Sequence, residues 1–191
     1  MHVLEAIRTR RSIGKMSDQR PTREQIETIL DAATWAPTHH ISNPWRFVVI
    51  AGDERLRFGE VTAQSKLARM EREGRSVEGE AEKLIAKALR APVIIAVGVE
   101  PGDDPKIIEI EEIESGAAAV QNMLIAAHGI GLAAMWRTGD PAYDPAVAEY
   151  LGLSQGGRVI AFVYVGFPAI EKTRFGHVPF TELTTWRGWI D

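Results

Sequence analysis

The segment from Ala36 to Phe47 reads Ala-Pro-Thr-His-His-Ile-Ser-Asn-Pro-Trp-Arg-Phe, and it separates a helical pattern from a strand pattern. Before it, apolar residues recur every three or four positions from Ile26 onward, which predicts a helix. Thr22 and Gln25 form a capping-box signature at the start of that helix. The helix has to end before the first proline, because the residue preceding a proline is disfavoured in the α conformation. After the segment, residues 45–51 are rich in β-forming side chains and predict a strand.

The same patterns recur along the rest of the chain. Further stretches with helical spacing predict helices, and three further apolar runs, one of them nearly continuous, predict strands. The helices are expected over residues 3–10, over 54–90 with a break near 71–76, and over 106–127, with a short one starting at Asp144-Pro145; the strands are expected over 92–99, 132–136 and 159–165. Together these elements predict one α+β domain over residues 1–191, with four or five strands.

The expected helix over 106–127 carries two features. An apolar face is predicted from the spacing of Ile107, Ile110, Ile113, Ala117, Val120, Leu124 and Ala127. The small residues Ser115–Ala119 would allow another helix or a second subunit to approach closely, although the helix propensity of alanine explains them equally well. The tail from Pro168 is aperiodic but contains Phe175, Phe180, Trp186 and Trp189, so we expect it to pack on its own domain or on a partner chain.

Composition excludes several classes of function. The net charge of −4 argues against a nucleic-acid partner, and the absence of a Lys/Arg block argues against binding to an anionic membrane. With no cysteine, the chain has no disulfide, no Cys-ligated metal and no thiol nucleophile, which is consistent with a cytoplasmic protein. The N-terminus lacks the apolar stretch of a signal peptide, and no apolar run is long enough to span a bilayer.

Two motifs are better explained structurally. Residues 129–134 match the dinucleotide fingerprint G-x-G-x-x-A, but here a helix precedes the glycines and a strand follows, the reverse of the required order. We interpret the glycines as a helix stop. His39 and His40 are the only neighbouring histidines, and adjacent side chains rarely face one ion, so no metal site is predicted. No G-x-S-x-G motif is present either.

Three segments are candidates for a binding site. Arg10, Arg11 and Ser12 could clamp a phosphate, or the arginines could simply complement the C-terminus of the first helix. The loop over residues 36–47 is rich in hydrogen-bonding side chains, although it could be an ordinary helix–strand connection. Residues 136–138, Trp-Arg-Thr, end a strand where a ligand crevice could form; the alternative is a core tryptophan beside a surface salt bridge.

Taken together, these segments resemble the nitroreductase family, whose members carry R-R-S, A-P-S and Q-P-W-x-F motifs and a late glycine-rich helix end before a strand. The counterparts here are Arg10–Ser12, Ala36–Thr38, Asn43–Phe47 and Gly129–Gly139. Their order and spacing match along nearly the whole chain, which resembles the compact branch of the family. The resemblance implies a central, mostly antiparallel sheet flanked by helices, in an intertwined homodimer.

The resemblance also implies a site for FMN at the dimer interface. It assigns three groups of residues to the cofactor. The first is Arg10, Arg11 and Ser12, which contact the flavin of their own subunit. The second is the loop residues Trp35, Pro37, Thr38, His39 and Asn43, of which 35–39 reach the flavin of the other subunit, and the third is the strand-end residues Trp136, Arg137 and Thr138. The segment associated with the nicotinamide nucleotide comprises Ala126, Ala127, His128, Gly129, Ile130 and Gly131.

The implied activity is transfer of hydride from NAD(P)H through FMN to a nitroaromatic or quinone-like acceptor, in a ping-pong sequence that needs no dedicated protein acid or base. Three residues depart from the family pattern: Gly14 replaces a frequent Arg or Lys, Ile41 an asparagine and Asn43 a glutamine. The positive charge near the flavin therefore has to come from elsewhere. Oxygen-dependent flavin chemistry, reductive dehalogenation and non-catalytic flavin binding are the alternatives.

Overall fold

The computed structural model describes residues 1–100, 102, 104–171 and 176–189, so Phe175 lies outside the described residues. Six helices and four strands are formed within them. The helices are α1 Val3–Thr9, α2 Arg23–Thr34, α3 Glu54–Arg72, α4 Glu80–Ala88, α5 Glu109–Gly129 and α6 Pro145–Tyr150; the strands are β1 Trp45–Ala51, β2 Val93–Val99, β3 Ala133–Arg137 and β4 Arg158–Gly166. Short 3₁₀ turns occur at His39–Ile41, Asp140–Tyr143 and Phe180–Glu182.

The four strands form one antiparallel sheet in the order β1-β2-β4-β3. Trp45 pairs with Val99 at one end of the β1–β2 ladder, and Ala133 pairs with Gly166 at the start of the β3–β4 ladder. Every residue of β2 is buried, as expected for the central run of apolar side chains. The predicted α+β class and the mostly antiparallel sheet are therefore confirmed.

Local signals in the sequence account for several element boundaries. Thr22 Oγ1 accepts a hydrogen bond from Gln25 N at 3.3 Å, and Gln25 Oε1 accepts one from Thr22 N at 3.0 Å, so the predicted capping box at the start of α2 is confirmed. Asp144 Oδ1 caps α6 by accepting from Ala146 N at 2.9 Å, with proline at the first helical position. The break in the 54–90 region falls between α3 and α4.

The sheet has helices on both faces. On one face α2 and α5 bury a cluster that includes Ile29, Val120 and Val163. On the other face α3, α6 and the 140–143 turn bury a second cluster around Phe58, Val147 and Phe162. We call these the α5 face and the α3 face of the sheet.

The predicted apolar face of α5 is wrong at Ile110, whereas Ile113 packs against the core as predicted. Ile110 is 55% exposed, whereas Glu112 is only 2% exposed. From Val120 onward the predicted positions are buried as expected, together with Met123. The buried face differs from the predicted one because the loop before β1 folds over the N-terminal half of α5 and covers polar side chains there.

The small residues in the middle of α5 contact the protein's own sheet. A Cβ atom on Gly116 would lie 2.8 Å from Val99 Cγ1 and 3.0 Å from Ile160 Cγ1, so the glycine allows the helix to approach the strands closely. Ala119 is fully buried beside it.

At the other end of the chain, Trp186 and Trp189 contact each other at 5.5 Å between ring centroids, yet they are 63% and 72% exposed. No helix in the described part of the chain is long and apolar enough to cross a membrane.

Candidate functional site

The Arg10–Ser12 segment lies along the outer edge of the sheet. Ser12 forms a parallel bridge with Ala134 of β3, and Ile13 N donates to Ala134 O at 3.3 Å. The next residue, Gly14, packs so closely that a Cβ atom there would be 2.8 Å from Met135 Sδ. Because the contact is with the flexible side chain of Met135, which can move aside, it does not by itself require glycine at this position.

The two arginines of this segment have different environments. Arg11 Nη1 donates to Arg8 O at 2.9 Å and to Arg10 O at 2.6 Å, so Arg11 satisfies carbonyls at the end of α1. That role matches the helix-end interpretation. Arg10 Nη1 and Arg11 Nε, in contrast, are buried and have no acceptor among the described residues. Buried N–H groups without a partner are costly, so these atoms favour an additional acceptor.

His128, near the C-terminus of α5, lies beside these two arginines. We call Arg10, Arg11 and His128 the cationic cluster, after the charges of the two guanidinium groups. His128 Nε2 lies 2.8 Å from Thr9 Oγ1, whose hydroxyl donates to Glu5 O at 2.7 Å. Because that hydroxyl proton is already used, Nε2 of His128 is the donor to Thr9. Burial, and then the charges of Arg10 and Arg11, lower the pKa of His128. Burial and the charge of Arg11 also lower the pKa of Arg10. An anion bound beside these groups would offset the repulsion between the two guanidinium groups and would raise the pKa of His128.

The rest of the 126–131 segment ends the helix through its backbone. Ile130 N donates to Ala126 O at 3.1 Å, Gly131 N to His128 O at 3.1 Å and Leu132 N to Ala127 O at 2.8 Å. Gly131 has φ +81°, a conformation that glycine adopts without strain. The glycines therefore form a helix stop that leads into β3, as the sequence predicted, and His128 carries the polar side chain of this segment.

The 35–39 loop lies over the N-terminal half of α5. Ser115 Oγ donates to Pro37 O at 2.7 Å, and His39 Nε2 lies 3.4 Å from Glu111 Oε1. Trp35, at the end of α2, is 79% exposed and points away from the core of this chain. A loop held at two points, with a large aromatic side chain projecting from it, is suited to contact a second molecule.

The continuation of this loop has a strained backbone. Three non-glycine residues have positive φ angles: His40 at 51°, Ile41 at 56° and Asn43 at 47°. Asn43 Nδ2 donates to Ile41 O at 3.2 Å, and Ser42 Oγ donates to Glu112 Oε1 at 2.8 Å. Such strain persists only where the surrounding contacts enforce it, and it is common at functional sites.

Glu112 and Ser115 are site residues that the sequence analysis missed. Glu112 Oε2 is buried and has no donor among the described residues, and Ser115 Oγ accepts from Trp45 Nε1 at 3.0 Å while it donates to Pro37 O. The available signal was the buried position of Val120: residues four and eight positions earlier on a helix lie on the same face, which places Gly116 and Glu112 inward.

The structure does not bring all the predicted residues together within one chain. Ser115, which holds the 35–39 loop, and His128, which lies beside Arg10, are thirteen residues apart on α5, or about 20 Å along the helix axis. The cationic cluster and the 35–39 loop therefore lie near different parts of the same helix.

The strand-end residues are divided by the pleat of β3. Trp136 packs toward the α5 face, where its Nε1 donates to Ile160 O at 3.2 Å. Arg137 lies on the α3 face, with Cζ 5.7 Å from the centroid of the Tyr164 ring. Thr138 is exposed and lines two cavities, of about 930 Å³ and about 420 Å³. The first also contains Trp136, and the second also contains Arg137.

Comparison with known proteins identifies the class of protein that this fold and site define. Residues 7–167 match the Nitroreductase family. The chain therefore belongs to the nitroreductase family, and the recognition made from the sequence is confirmed.

A curated relative supports this membership over nearly the full length, and solved structures share the fold. The chain is 33% identical, over 94% of its length and 95% of the relative, to the Escherichia coli K12 protein named "Putative NAD(P)H nitroreductase YdjA". A nitroreductase-like family protein from Bacillus cereus has the same fold, with a TM-score of 0.83, 24% identity and coverage of 98% and 97% of the two chains. A Desulfovibrio desulfuricans protein described as a "putative nitroreductase", crystallised in complex with FMN, has a TM-score of 0.76 and 28% identity, covering 99% and 98%.

Proposed function

We propose that this protein is an FMN-dependent oxidoreductase that uses NAD(P)H to reduce nitroaromatic, quinone-like or related acceptors. The observation that carries the proposal is a pair of buried guanidinium nitrogens, on Arg10 and Arg11, that have no acceptor among the described residues, in a chain that belongs to the nitroreductase family. The names of its relatives, and the FMN bound to the related Desulfovibrio desulfuricans protein, support the same reductant and cofactor.

The cationic cluster is suited to the phosphate of FMN. Arginine donors pair well with phosphate oxygens, and a phosphate would provide an acceptor for Arg10 Nη1, which has none among the described residues. It would also offset the repulsion between the guanidinium groups of Arg10 and Arg11. Ser12 adds a hydroxyl at the adjacent sheet edge. In this proposal Arg11 has two functions, since it also satisfies the end of α1.

We further propose that the site is shared between two copies of the chain. The accessible surface is 12037 Å², whereas a compact monomer of this mass exposes about 9,000 Å². The excess is about 3,000 Å² per chain, or about 6,000 Å² for two chains, and obligate dimers bury a total of roughly 2,000–5,000 Å² or more. Exposed apolar side chains occur at both ends of the chain and along α5, and include Leu4, Ile7, Trp35, Ile110, Leu183, Trp186 and Trp189. Covering these side chains favours a homodimer.

The separation along α5 supports the shared site. Because the 35–39 loop lies about 20 Å along the helix from His128, one flavin cannot contact both segments easily within a single chain. In a two-fold dimer each surface patch meets its symmetry partner, so the loop of one copy can approach the cationic cluster of the other. Trp35, Pro37, Thr38, His39 and Asn43 would then border the partner's cofactor.

In the proposed reaction NAD(P)H is oxidised and the acceptor is reduced by two electrons. For a quinone, NAD(P)H, a proton and the quinone give NAD(P)⁺ and the hydroquinone; for a nitroaromatic, they give NAD(P)⁺, the nitroso compound and water. Bound FMN supplies the capacity to take up hydride and release electrons. The protein anchors the cofactor through Arg10 and Ser12, borders its ring with residues 136–138 and provides the 126–131 segment for the nicotinamide nucleotide.

The absorbance spectrum of the purified protein tests this proposal. We expect an oxidised flavin spectrum, release of FMN on denaturation, and bleaching when NADPH or NADH is added without oxygen. Subsequent addition of a quinone or nitroaromatic should restore the oxidised spectrum. A colourless protein that does not bind added FMN would contradict the proposal, whereas bound flavin that neither nucleotide reduces would leave only a binding function.

A further inference from the structure

A second cavity, which the proposed flavin contacts do not fully use, lies on the α3 face of the sheet. Its volume is about 420 Å³, and it is open to solvent and bordered by α3, α4 and the 137–141 turn. Its wall is formed by the aromatic rings of Phe58, Phe162 and Tyr164, which are buried. Ligand pockets typically measure roughly 300–1,000 Å³, so this α3–α4 pocket is suited to a single-ring molecule rather than to a dinucleotide.

The pocket is strongly cationic in a chain whose net charge is −4. Lys66, Lys87, Arg90 and Arg137 line it, and Asp140 is the acidic residue among its described lining. That carboxylate is already paired: it binds Lys66 and, at 2.5 Å, Arg69 Nη1, and the hydrogen bond from Lys66 lowers its pKa. The other three cations, Lys87, Arg90 and Arg137, form no ion pair with a carboxylate in the part of the chain that the structure describes.

Two of these cations act on the same aromatic side chain. Arg137 lies over the Tyr164 ring, and the charges of both Arg137 and Arg90 reach its hydroxyl. Burial nevertheless raises the pKa of Tyr164, so at neutral pH its hydroxyl is protonated and can donate a hydrogen bond. The pocket therefore combines an aromatic wall, a protonated hydroxyl and several cations without carboxylate partners.

We propose that the α3–α4 pocket binds the anionic group of a single-ring aromatic acceptor, a carboxylate or a phenolate, and so makes aromatic anions the preferred substrates of the enzyme. This inference rests on the proposed function. Thr138 and Arg137 belong both to the strand end assigned to the flavin and to the pocket lining. An acceptor anchored in the pocket would therefore have its ring beside the flavin site. Lys87 lies on α4 and Arg90 lies just after it, and these two residues determine the specificity for the acceptor.

Two acceptors of nearly equal shape test the proposal, namely 4-nitrobenzoate and its neutral analogue 4-nitrobenzamide. We expect the wild-type enzyme to have the higher kcat/KM for 4-nitrobenzoate. Lys87→Gln and Arg90→Gln should each reduce that preference by about tenfold or more, the usual effect of losing a charge-assisted hydrogen bond. Lys83→Gln is the matched control, because Lys83 lies on the same helix, pairs with Glu80 at 2.7 Å and does not line the pocket.

Direct binding separates this inference from the proposed function. Isothermal titration with benzoate, which has no nitro group, should give binding that Lys87→Gln and Arg90→Gln weaken and Lys83→Gln does not. If these variants weaken benzoate binding but the protein has no reductase activity, the result contradicts the reductase function and the substrate preference and supports the anion-binding pocket. If both acceptors lose activity equally and benzoate binding is absent or unchanged, the proposal is overturned, and the cations act on the flavin itself.

Discussion

Ser115 Oγ donates a hydrogen bond to Pro37 O at 2.7 Å, and the same oxygen accepts one from Trp45 Nε1 at 3.0 Å. A single hydroxyl in α5 thus holds both ends of the loop that leads into β1. Because this loop carries the residues proposed to border the partner's flavin, Ser115 links the packing of the core to the geometry of the site.

Ser115→Ala is expected to destabilise the protein by about 1–3 kcal/mol, because it leaves the buried Trp45 indole N–H without an acceptor. Urea denaturation followed by tryptophan fluorescence measures the free energy of unfolding. Ser65→Ala is the matched control: Ser65 is also a buried helical serine, but its hydroxyl makes no hydrogen bond within the described residues. Equal losses in the two variants would contradict the role assigned to Ser115.

The parts of the fold that local chemistry determines were predictable from the sequence. The Thr22–Gln25 capping box and the Asp144-Pro145 helix start depend on neighbouring residues, and both form as predicted. The buried face of α5 was mispredicted at Ile110 and Glu112, because it depends on a loop about seventy residues away in sequence, whose Ser42 hydroxyl contacts the Glu112 carboxylate. Hydrophobic periodicity cannot identify a polar side chain that is buried by such a long-range hydrogen bond.

The candidate site was predictable as a set of segments but not as an arrangement. Trp136 and Arg137 were expected to act together, yet the two-residue period of a strand directs them to opposite faces of the sheet. The dual use of Arg11 also could not be inferred, because the carbonyls that it satisfies are defined only once α1 ends.

Arg10→Ala is expected to weaken FMN binding by about 1.5–3 kcal/mol, or about 10- to 150-fold in Kd, through loss of a charged hydrogen bond to the phosphate. Riboflavin, which lacks the phosphate, should bind the variant and the wild-type protein with similar affinity. Titration of the apoprotein, followed by quenching of flavin fluorescence, measures both constants.

The control for this prediction is Arg8→Ala, since Arg8 is an exposed arginine near the end of α1 whose backbone carbonyl, not its side chain, contacts Arg11. It should leave the affinity for FMN unchanged. An equal loss of affinity for FMN and riboflavin in Arg10→Ala would place Arg10 near the ring or the ribityl chain instead of the phosphate.

His128 is expected to make the stability of the apoprotein depend on pH. Its pKa in the folded protein is below the ordinary value of 6.5, so in the window between the two values the unfolded chain binds more protons. Stability that is present above pH 6.5 is therefore lost as the pH falls toward the folded pKa. His128→Gln should reduce the difference between the free energies of unfolding measured at about pH 7.5 and about pH 5.5.

His177→Gln provides the comparison, because His177 is an exposed histidine. It should leave the difference between the two pH values as it is in the wild-type protein. If His128→Gln has no more effect on the pH dependence than His177→Gln, then burial and the charges of Arg10 and Arg11 do not lower the pKa of His128 in solution.

Two inactive variants are expected to restore activity when they are combined in one dimer. The first, Arg10→Ala with Ser12→Ala, damages the cationic cluster; the second, Thr38→Ala with His39→Ala, damages the loop proposed to reach the partner's flavin. If each site takes the cluster from one chain and the loop from the other, the heterodimer has one intact site and one doubly damaged site. It should then recover up to about half of the wild-type activity per dimer, since an isologous dimer has two equivalent sites.

Co-expression with two different affinity tags, followed by sequential purification, isolates the heterodimer. Its NADPH oxidation with a quinone acceptor is compared with that of both parent homodimers, at an FMN concentration that saturates the wild-type protein but not the Arg10→Ala, Ser12→Ala variant. The cluster and the loop are separated by about 20 Å along α5, so the two models of the site predict different results. If each site were built within one chain, both sites of the heterodimer would carry one of the two defects. A heterodimer that binds FMN and oxidises NADPH no better than the parents would show that each chain builds its own site. The cluster and the loop would then have to come together by a rearrangement of α5 and the 35–39 loop within the subunit.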